Sequence, residues 1–409
     1  MNSPERRLRK ARALEAASLK SARDVDDAHR AILRSLRVKT VIRENHGDAH
    51  TRAIEFSRCE RTKNLFATIG GSTVTVYDDE HFGDHTAVVA QYVHEATEHE
   101  RGGKITSMCW VTQSAEKENA ATGGTTHEFG DAVLAIGDEN GVISVISIAE
   151  NRVVSRIDAH PGAAVRDMDG ASARDGFVVS VGKDGFLKAW DVFGGEDGEG
   201  ECVGTFDAQN ACSVACDADG SSAVTGHSQG KVKRWNLSAG IEQLGESLTG
   251  FASTFTEGHA VECVRIVGDV LFAKTRAGRF ETYDLAKNKA LKQWTLPNAS
   301  RRASTIKKLA NDDDTPCRFG TSTNGKYVAC GDSTHEGVVY VYDARTGEEI
   351  SALQPLRVTG VVYAAAVVDH CRHVFASYGP AVVWRYEVIP STADADAPNA
   401  VSAFEAAVK

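Results

Sequence analysis

No run of about eighteen apolar residues occurs in this sequence, so no helix in it is built to span a bilayer. Nor do its nine cysteines form a Cys-x-x-Cys pair; they are dispersed, and no apolar signal segment precedes them. That pattern predicts reduced thiols in the cytosol or nucleus. A Gly-x-x-x-x-Gly-Lys-Ser/Thr loop is missing as well, which removes the usual phosphate cradle. The glycine-rich "FGGEDGEGE" (193–201) is no substitute, because its carboxylates would repel a phosphate. Without a Gly-x-Ser-x-Gly elbow, the abundant Ser, His and Asp have no nucleophile context.

What the 409 residues do contain is ordinary for a globular protein: 42% hydrophobic and 25% charged. The net charge of -10 hides an asymmetry. Residues 1–39 hold eleven Lys/Arg against five Asp/Glu, so a basic arm precedes an acidic body. Residues 4–37 lack glycine and have only an initial proline, which predicts one or two helices with Leu8, Leu14, Ile32, Leu33 and Leu36 on the apolar side. The arm's charge would suit nucleic-acid phosphates, although it carries no reading motif.

From about residue 40 the texture changes to short alternating strands broken by Gly, Asp and Asn. One form recurs seven times: two apolar residues and a small one, a turn, then alternating apolar residues closing on an aromatic and an acid or amide. "VVSVGKDGFLKAWDV" (178–192) is the clearest copy; others are "LFATIGGSTVTVYD" (65–78) and "SAVTGHSQGKVKRWN" (222–236). With Tyr77, Ile146, Trp190, Trp235, Tyr283, Tyr342 and Trp384 as equivalent positions, successive separations are 69, 44, 45, 48, 59 and 42 residues. The short separations fit a four-stranded propeller blade. The two long ones contain insertions, at 112–131 and around 295–316.

These repeats resemble those of the WD-repeat β-propellers. The resemblance implies an all-β, seven-bladed WD-repeat β-propeller over residues 39–390, with a helical basic extension (1–38) and a polar tail (391–409). It also implies a buried network of His160, Ser180, Asp184 and Trp190, favourable only if every member is paired. "KTVIRENH" (39–46) or the C-terminal stretch would complete a shared blade and remove an open sheet edge.

Neither histidine cluster, "DDEHFGDH" (78–85) or "DHCRH" (369–373), has the paired spacing of a zinc site, so no metal or cofactor is expected. "VYVYDAR" (339–345) resembles the aromatic-Asp-x-Arg ending through which some WD-repeat proteins dock on cullin-type ubiquitin ligases, with Arg345 as docking residue. "RRAS" (301–304) offers Ser304 to a basophilic kinase.

Further stretches, among them "GKITSMCW" (103–110), "HAVECVRIVGDVLFAK" (259–274) and "AVVWRYEV" (381–388), are similar in order and spacing to the extra sex combs / embryonic ectoderm development family. That family is the WD-repeat subunit of Polycomb repressive complex two; the leucine-rich-repeat-and-WD chromatin proteins share part of the likeness. The resemblance implies a non-catalytic subunit of a hetero-complex, nuclear or alternatively cytoplasmic, with no membrane role. It would hold a SET-domain histone methyltransferase on one face and read a trimethylated histone tail on the other. A quaternary ammonium needs an aromatic cage. The family's cage positions fall on Arg52, Thr106, Thr315 and Pro316, none of them aromatic, so weak or absent methyl-lysine reading is expected. The alternatives are a ubiquitin-ligase substrate receptor or a propeller scaffold in another pathway.

Overall fold

The computed structural model describes residues 22–59, 62–81, 85–94, 103–113, 132–195, 199–238, 246–247, 259–297, 315–331, 337–354, 360–368 and 371–388. Most of the basic arm with Leu8 and Leu14, most of both insertions with Ser304, His370, and the tail from 391 lie outside the described residues. The described chain begins with helix α1 (Ala22–Ser35), which runs without a break into strand β1 (Leu36–Arg43). This helix carries three arginines and three aspartates, so the positive excess of the arm is not in it.

Six four-stranded sheets then follow in sequence order. Blade 1 is β2 (Thr51–Phe56), β3 (Leu65–Gly70), β4 (Thr73–His81) and β5 (His85–Val93). Blade 2 is β6 (Ile105–Val111), β7 (Val133–Asp138), β8 (Val142–Ser147) and β9 (Arg152–Asp158). Blade 3 contains β10 (Val165–Gly170), β11 (Phe177–Gly182), β12 (Phe186–Asp191) and β13 (Glu201–Asp207). Blade 4 contains β14 (Ala211–Cys216), β15 (Ser222–His227), β16 (Val232–Asn236) and the short β17 (Glu246–Ser247). Blade 5 comprises β18 (Val261–Val267), β19 (Val270–Thr275), β20 (Arg279–Asp284) and β21 (Lys289–Thr295). Blade 6 comprises β22 (Phe319–Thr321), β23 (Tyr327–Gly331), β24 (Val339–Asp343) and β25 (Glu349–Leu353).

The seventh sheet joins the two ends of the chain. It contains β26 (Ala365–Val367), β27 (His373–Ser377) and β28 (Val382–Val388), with β1 as its outermost strand. β1 lies antiparallel to β28, from Leu36 opposite Val388 to Arg43 opposite Val382. The two segments offered for closure by the sequence therefore pair with each other, and the strand starts at Leu36. The result is a seven-bladed β-propeller, consistent with the WD-repeat family.

Each blade is a sheet with two apolar faces, and its hydrophobic contacts lie against the neighbouring blades. Val111, Val133 and Ile143 of blade 2 pack on Val165, Val178 and Trp190 of blade 3, and equivalent clusters fill the other six spaces. Fully burying one such aliphatic side chain contributes roughly 1.5–3 kcal/mol, so stability is spread around the ring. Phe56 and Trp110 belong to these clusters. Turns on one side fix the hairpins: Gly141 and Gly185 have φ of +95° and +89°, which favours glycine. A Cβ at Gly141 would also fall 1.8 Å from the His160 carbonyl oxygen.

α1 packs through Ile32 and Leu33 on the blade 6/7 cluster. Arg30 pairs with Asp343 (2.5 Å) and Glu348 (2.8 Å), and Asp26 with Lys326 (2.7 Å). These contacts are to the loops after β22 and β24, so the helix straps the rim of blade 6. Among the described residues no helix is long and apolar enough to cross a membrane.

Candidate functional site

The first strands of the blades ring the central channel. Each has one edge paired within its blade and the other turned to its neighbour, so its remaining backbone groups need partners. Side chains supply them. Asp167 accepts the Val214 N–H and Asp169 the Cys216 N–H, both at 3.0 Å, while Ser213 donates to the Val261 carbonyl at 2.9 Å. Arg318 donates to the Arg166 carbonyl, Arg58 to the Gly170 carbonyl, and the Trp110 indole to the Glu55 carbonyl.

The same arginines and carboxylates meet across the axis. Arg58 of blade 1 pairs with Asp169 of blade 3 (2.8 Å), and Glu55 of blade 1 with Arg265 of blade 5 (2.6 Å). Arg318, ahead of β22, pairs with Asp167 of blade 3. Burial pushes the Glu55 carboxyl up, opposed by Arg265, Arg318 and Arg58. Burial also works against the charge of Arg265, yet Cys263, Glu55, Asp167 and Asp169 around it hold its pKa above the ordinary value. Between blades 5 and 6 the buried Lys274 pairs with Glu262 and donates to the Cys317 carbonyl at 2.9 Å, tying the two blades together.

The channel has two mouths. At the front, where the inner strands start, a β-bulge interrupts the register at the second residue of five of them: Arg52, Thr106, Arg166, Cys212 and Glu262. A bulge re-aims one side chain without ending the ladder. Three of these residues reach the next blade: Thr106 donates to the Val165 carbonyl at 2.5 Å, Arg166 donates to the Ala211 carbonyl at 2.8 Å, and Glu262 accepts the Cys317 N–H at 3.3 Å. Arg52 and Thr106 are thus bulge residues, while the buried Thr315 and half-buried Pro316 precede β22.

At the rear, where the inner strands end, a cavity of ≈290 Å³ opens. Ile54, Phe56, Ile266, Val267 and Phe319 form its apolar part, and its charged part has four cations, Arg58, Lys63, Arg265 and Arg318, with three carboxylates, Glu55, Asp79 and Glu80. Arg345 is exposed on the rear rim of blade 6, in the loop after β24.

The blade networks are on the front side. His160 Nδ1 is 2.8 Å from Asp184 and Nε2 is 2.8 Å from Ser180, whose hydroxyl also receives the Trp190 indole at 3.0 Å. Burial lowers the His160 pKa, opposed by Asp184; a carboxylate only accepts, so the Asp184 contact is the place for a proton on Nδ1 and leaves Nε2 to accept from Ser180. The set has the composition of a catalytic triad, but Ser180 is buried and its oxygen occupied. Gly182 makes room for it: a Cβ there would lie 2.4 Å from His160 Nδ1.

Three related networks escape a search for the full signature. In blade 4 the Trp235 indole donates to Thr225, Thr225 contacts His227 Nε2, and His227 Nδ1 faces the Gln209 carbonyl, at 2.8, 2.8 and 3.0 Å. Here the histidine comes from two residues along the same strand; burial lowers its pKa to about 4. In blade 1 Glu44 gathers His46, Thr51, Thr68 and Tyr77. Burial opposes its charge, but hydrogen bonds from His46, Thr51 and Thr68 hold its pKa below the ordinary value. His94 joins Asp138 at 3.0 Å between blades 1 and 2.

Burial, reinforced by Asp169, raises the Cys109 and Cys216 thiols well above their usual range, away from the thiolate form. Among the described residues no three His, Cys, Asp or Glu side chains are grouped to hold a metal; His373 instead binds Asp79 at 2.6 Å beside Arg385. No protein-family model and no curated protein matches this chain. The shape of the molecule is that of a seven-bladed propeller, a fold typical of non-enzymatic scaffolds that mediate protein–protein interaction.

Proposed function

We propose that the protein is a non-catalytic WD-repeat scaffold in a nuclear chromatin complex, holding a histone methyltransferase of the SET-domain type by its rear mouth. The observation that carries the scaffold reading is the combination of a channel whose charges are spent on one another with a rear cavity that keeps an apolar floor. Such a site offers surface, shape and fixed charge to a partner, and no activated nucleophile. The chromatin assignment draws on the ordered resemblance of the repeats to the Polycomb subunit.

The front mouth argues for a scaffold that has given up methyl-lysine reading. Where the family places an aromatic cage, this chain has Arg52, Thr106, Thr315 and Pro316, and Thr106 already bonds blade 3. A guanidinium repels a quaternary ammonium instead of solvating it. Calorimetry with trimethylated histone peptides is expected to show no binding in the micromolar range; a low-micromolar dissociation constant would sink this part of the reading.

Affinity purification of the tagged full chain, followed by mass spectrometry, tests the whole proposal: a SET-domain methyltransferase is expected to co-purify. One observation favours a second reading, docking on a cullin-type ligase. Arg345 is exposed and its side chain has no ion pair among the described residues, whereas the neighbouring Asp343 is held by Arg30. Under that reading a cullin adaptor co-purifies with the wild type and is lost from Arg345→Ala, with the melting temperature unchanged.

A further inference from the structure

The front mouth of the channel carries two cations that no carboxylate of the described chain neutralises. Arg52 of blade 1 and Arg166 of blade 3 occupy the same bulge position, on either side of blade 2, where Thr106 holds it. Both are half-exposed. Arg166 spends one terminal nitrogen on the Ala211 carbonyl, and neither arginine has an ion pair among the described residues. The acids next to them in the chain or the ring are committed. Glu44, which reaches the residue before Arg52, is buried among Thr51, His46, Thr68 and Tyr77. Asp167, the residue after Arg166, is buried on Arg318, and Glu262, the acid at the same bulge position in blade 5, is held by Lys274.

The two arginines stand on walls that face each other across the channel. Deeper in it, Asp169 of β10 meets Arg58, which follows β2, at 2.8 Å, so one arginine and one aspartate bridge the space between these blades. Nearer the front, each wall contributes an arginine and neither contributes an acid. The backbone on both sides is fixed: the Thr51 hydroxyl donates to Glu44 at 2.5 Å, and the Arg166 carbonyl accepts from Arg318 at 3.3 Å. Like charges so placed repel one another, and an anion between them relieves it. A guanidinium presents its donors as a planar fork that pairs with phosphate oxygens two at a time. A phosphorylated side chain carries about −1.5 to −2 charges and three acceptor oxygens, enough to serve a fork from each wall. A carboxylate, with one charge and two oxygens, can satisfy only one.

We infer that the front mouth is a receptor for a phosphorylated side chain of a protein partner, with Arg52 and Arg166 as its counter-ions. The inference goes beyond the reading of the rear mouth and does not depend on it. The same two residues that make the front mouth hostile to a quaternary ammonium make it suited to a dianion. A channel that Arg58 and Asp169 can bridge admits a phosphoryl group on a side-chain stem more readily than the paired backbones of a nucleic-acid duplex.

The test uses full-length protein with isotope-labelled arginine, the side-chain Nε signals of Arg52 and Arg166 being assigned from Arg52→Gln and Arg166→Lys. The probes are acetyl-Ala-phosphoserine-Ala-amide, its serine and glutamate counterparts, inorganic phosphate and a single-stranded oligothymidylate. The phosphoserine peptide is expected to move both Nε signals saturably, the glutamate peptide to bind about tenfold more weakly, and the serine peptide not to bind. Arg52→Gln, which removes no ion pair of the described residues, should weaken the phosphoserine peptide about tenfold with an unchanged melting curve, and raised salt should weaken it in the wild type. Equal binding of the phosphoserine and serine peptides, unmoved Arg52 and Arg166 signals up to the solubility limit, or undiminished affinity in Arg52→Gln would each overturn the inference. So would inorganic phosphate bound as tightly as the peptide, the mark of a free-ion site, or tighter binding of the oligonucleotide, the mark of a nucleic-acid surface. Arg52 does not line the rear cavity, so Arg52→Gln separates the two readings: it should lose the phosphoserine peptide and keep the methyltransferase.

Discussion

Ser180 shows how one hydroxyl can set the energy of a blade. It contacts the His160 imidazole and receives the Trp190 indole, so Ser180→Ala leaves two buried polar groups without a partner. The expected cost is about 1–3 kcal/mol, read as a lower urea midpoint with an unchanged slope. The side chains His160, Ser180, Asp184 and Trp190 were legible because the last three lie in one hairpin, His160 precedes the first strand of the same blade, and together they match a known spacing. His227 was not, since it takes the histidine's place from within β15, where the sequence offers only an unremarkable Gly-His pair. It makes a pH prediction possible. The unfolded imidazole takes up its proton near pH 6.5, the folded one only near about 4. Between those values the unfolded state binds more protons, so stability falls as pH falls through the window. In His227→Gln this part of the acid destabilisation should be reduced, as measured by urea titrations at neutral pH and at about pH 5.

At the scale of elements, the seven hairpins were readable from apolar alternation and turn glycines, because both are local. Of the helical basic extension expected from composition, the described residues hold one short helix without the basic excess, and its direct junction with the closing strand was not anticipated. That junction depends on Leu36, which looks like one more helical leucine and is instead the first residue of β1, buried against blade 6 and 7 side chains. β1 also brings Lys39 to Glu387 at 2.9 Å, next to the buried Arg385, His373 and Asp79. A chain starting at Ala22 should melt like the full protein. One starting at Glu44 loses α1 and β1, exposes the edge of β28 and uncovers part of the blade 6/7 core, so it should melt far lower and self-associate. Thermal melts with light scattering decide it; indistinguishable curves for the two truncations would remove β1 from the account of closure.

Across the whole molecule, the ion pairs of the channel were invisible in the sequence. "VRDMDG", "CVRIV" and "EFSR" each place charge in an apolar strand, but which charge meets which is settled only by bringing blades 1, 3, 5 and 6 around one axis. The pair of Arg318 and Asp167 tests their weight. Asp167→Asn keeps an acceptor for the Val214 N–H and removes only the charge, leaving a buried guanidinium unpaired, so a loss of about 3–5 kcal/mol is expected. Chemical denaturation of the single variant and of Asp167→Asn with Arg318→Met separates the charge from the packing, because the second substitution removes the orphaned cation and should recover part of the loss. The seam between β1 and β28 has a consequence in time. A ribosome delivers Leu36 about 350 residues before Val388, so during synthesis six blades can assemble while the strand that seals the seventh waits, unpaired, for a neighbour still to be made. Completion of the ring then waits for β28, and the interval before it is when this protein is most exposed to pairing with another copy of itself.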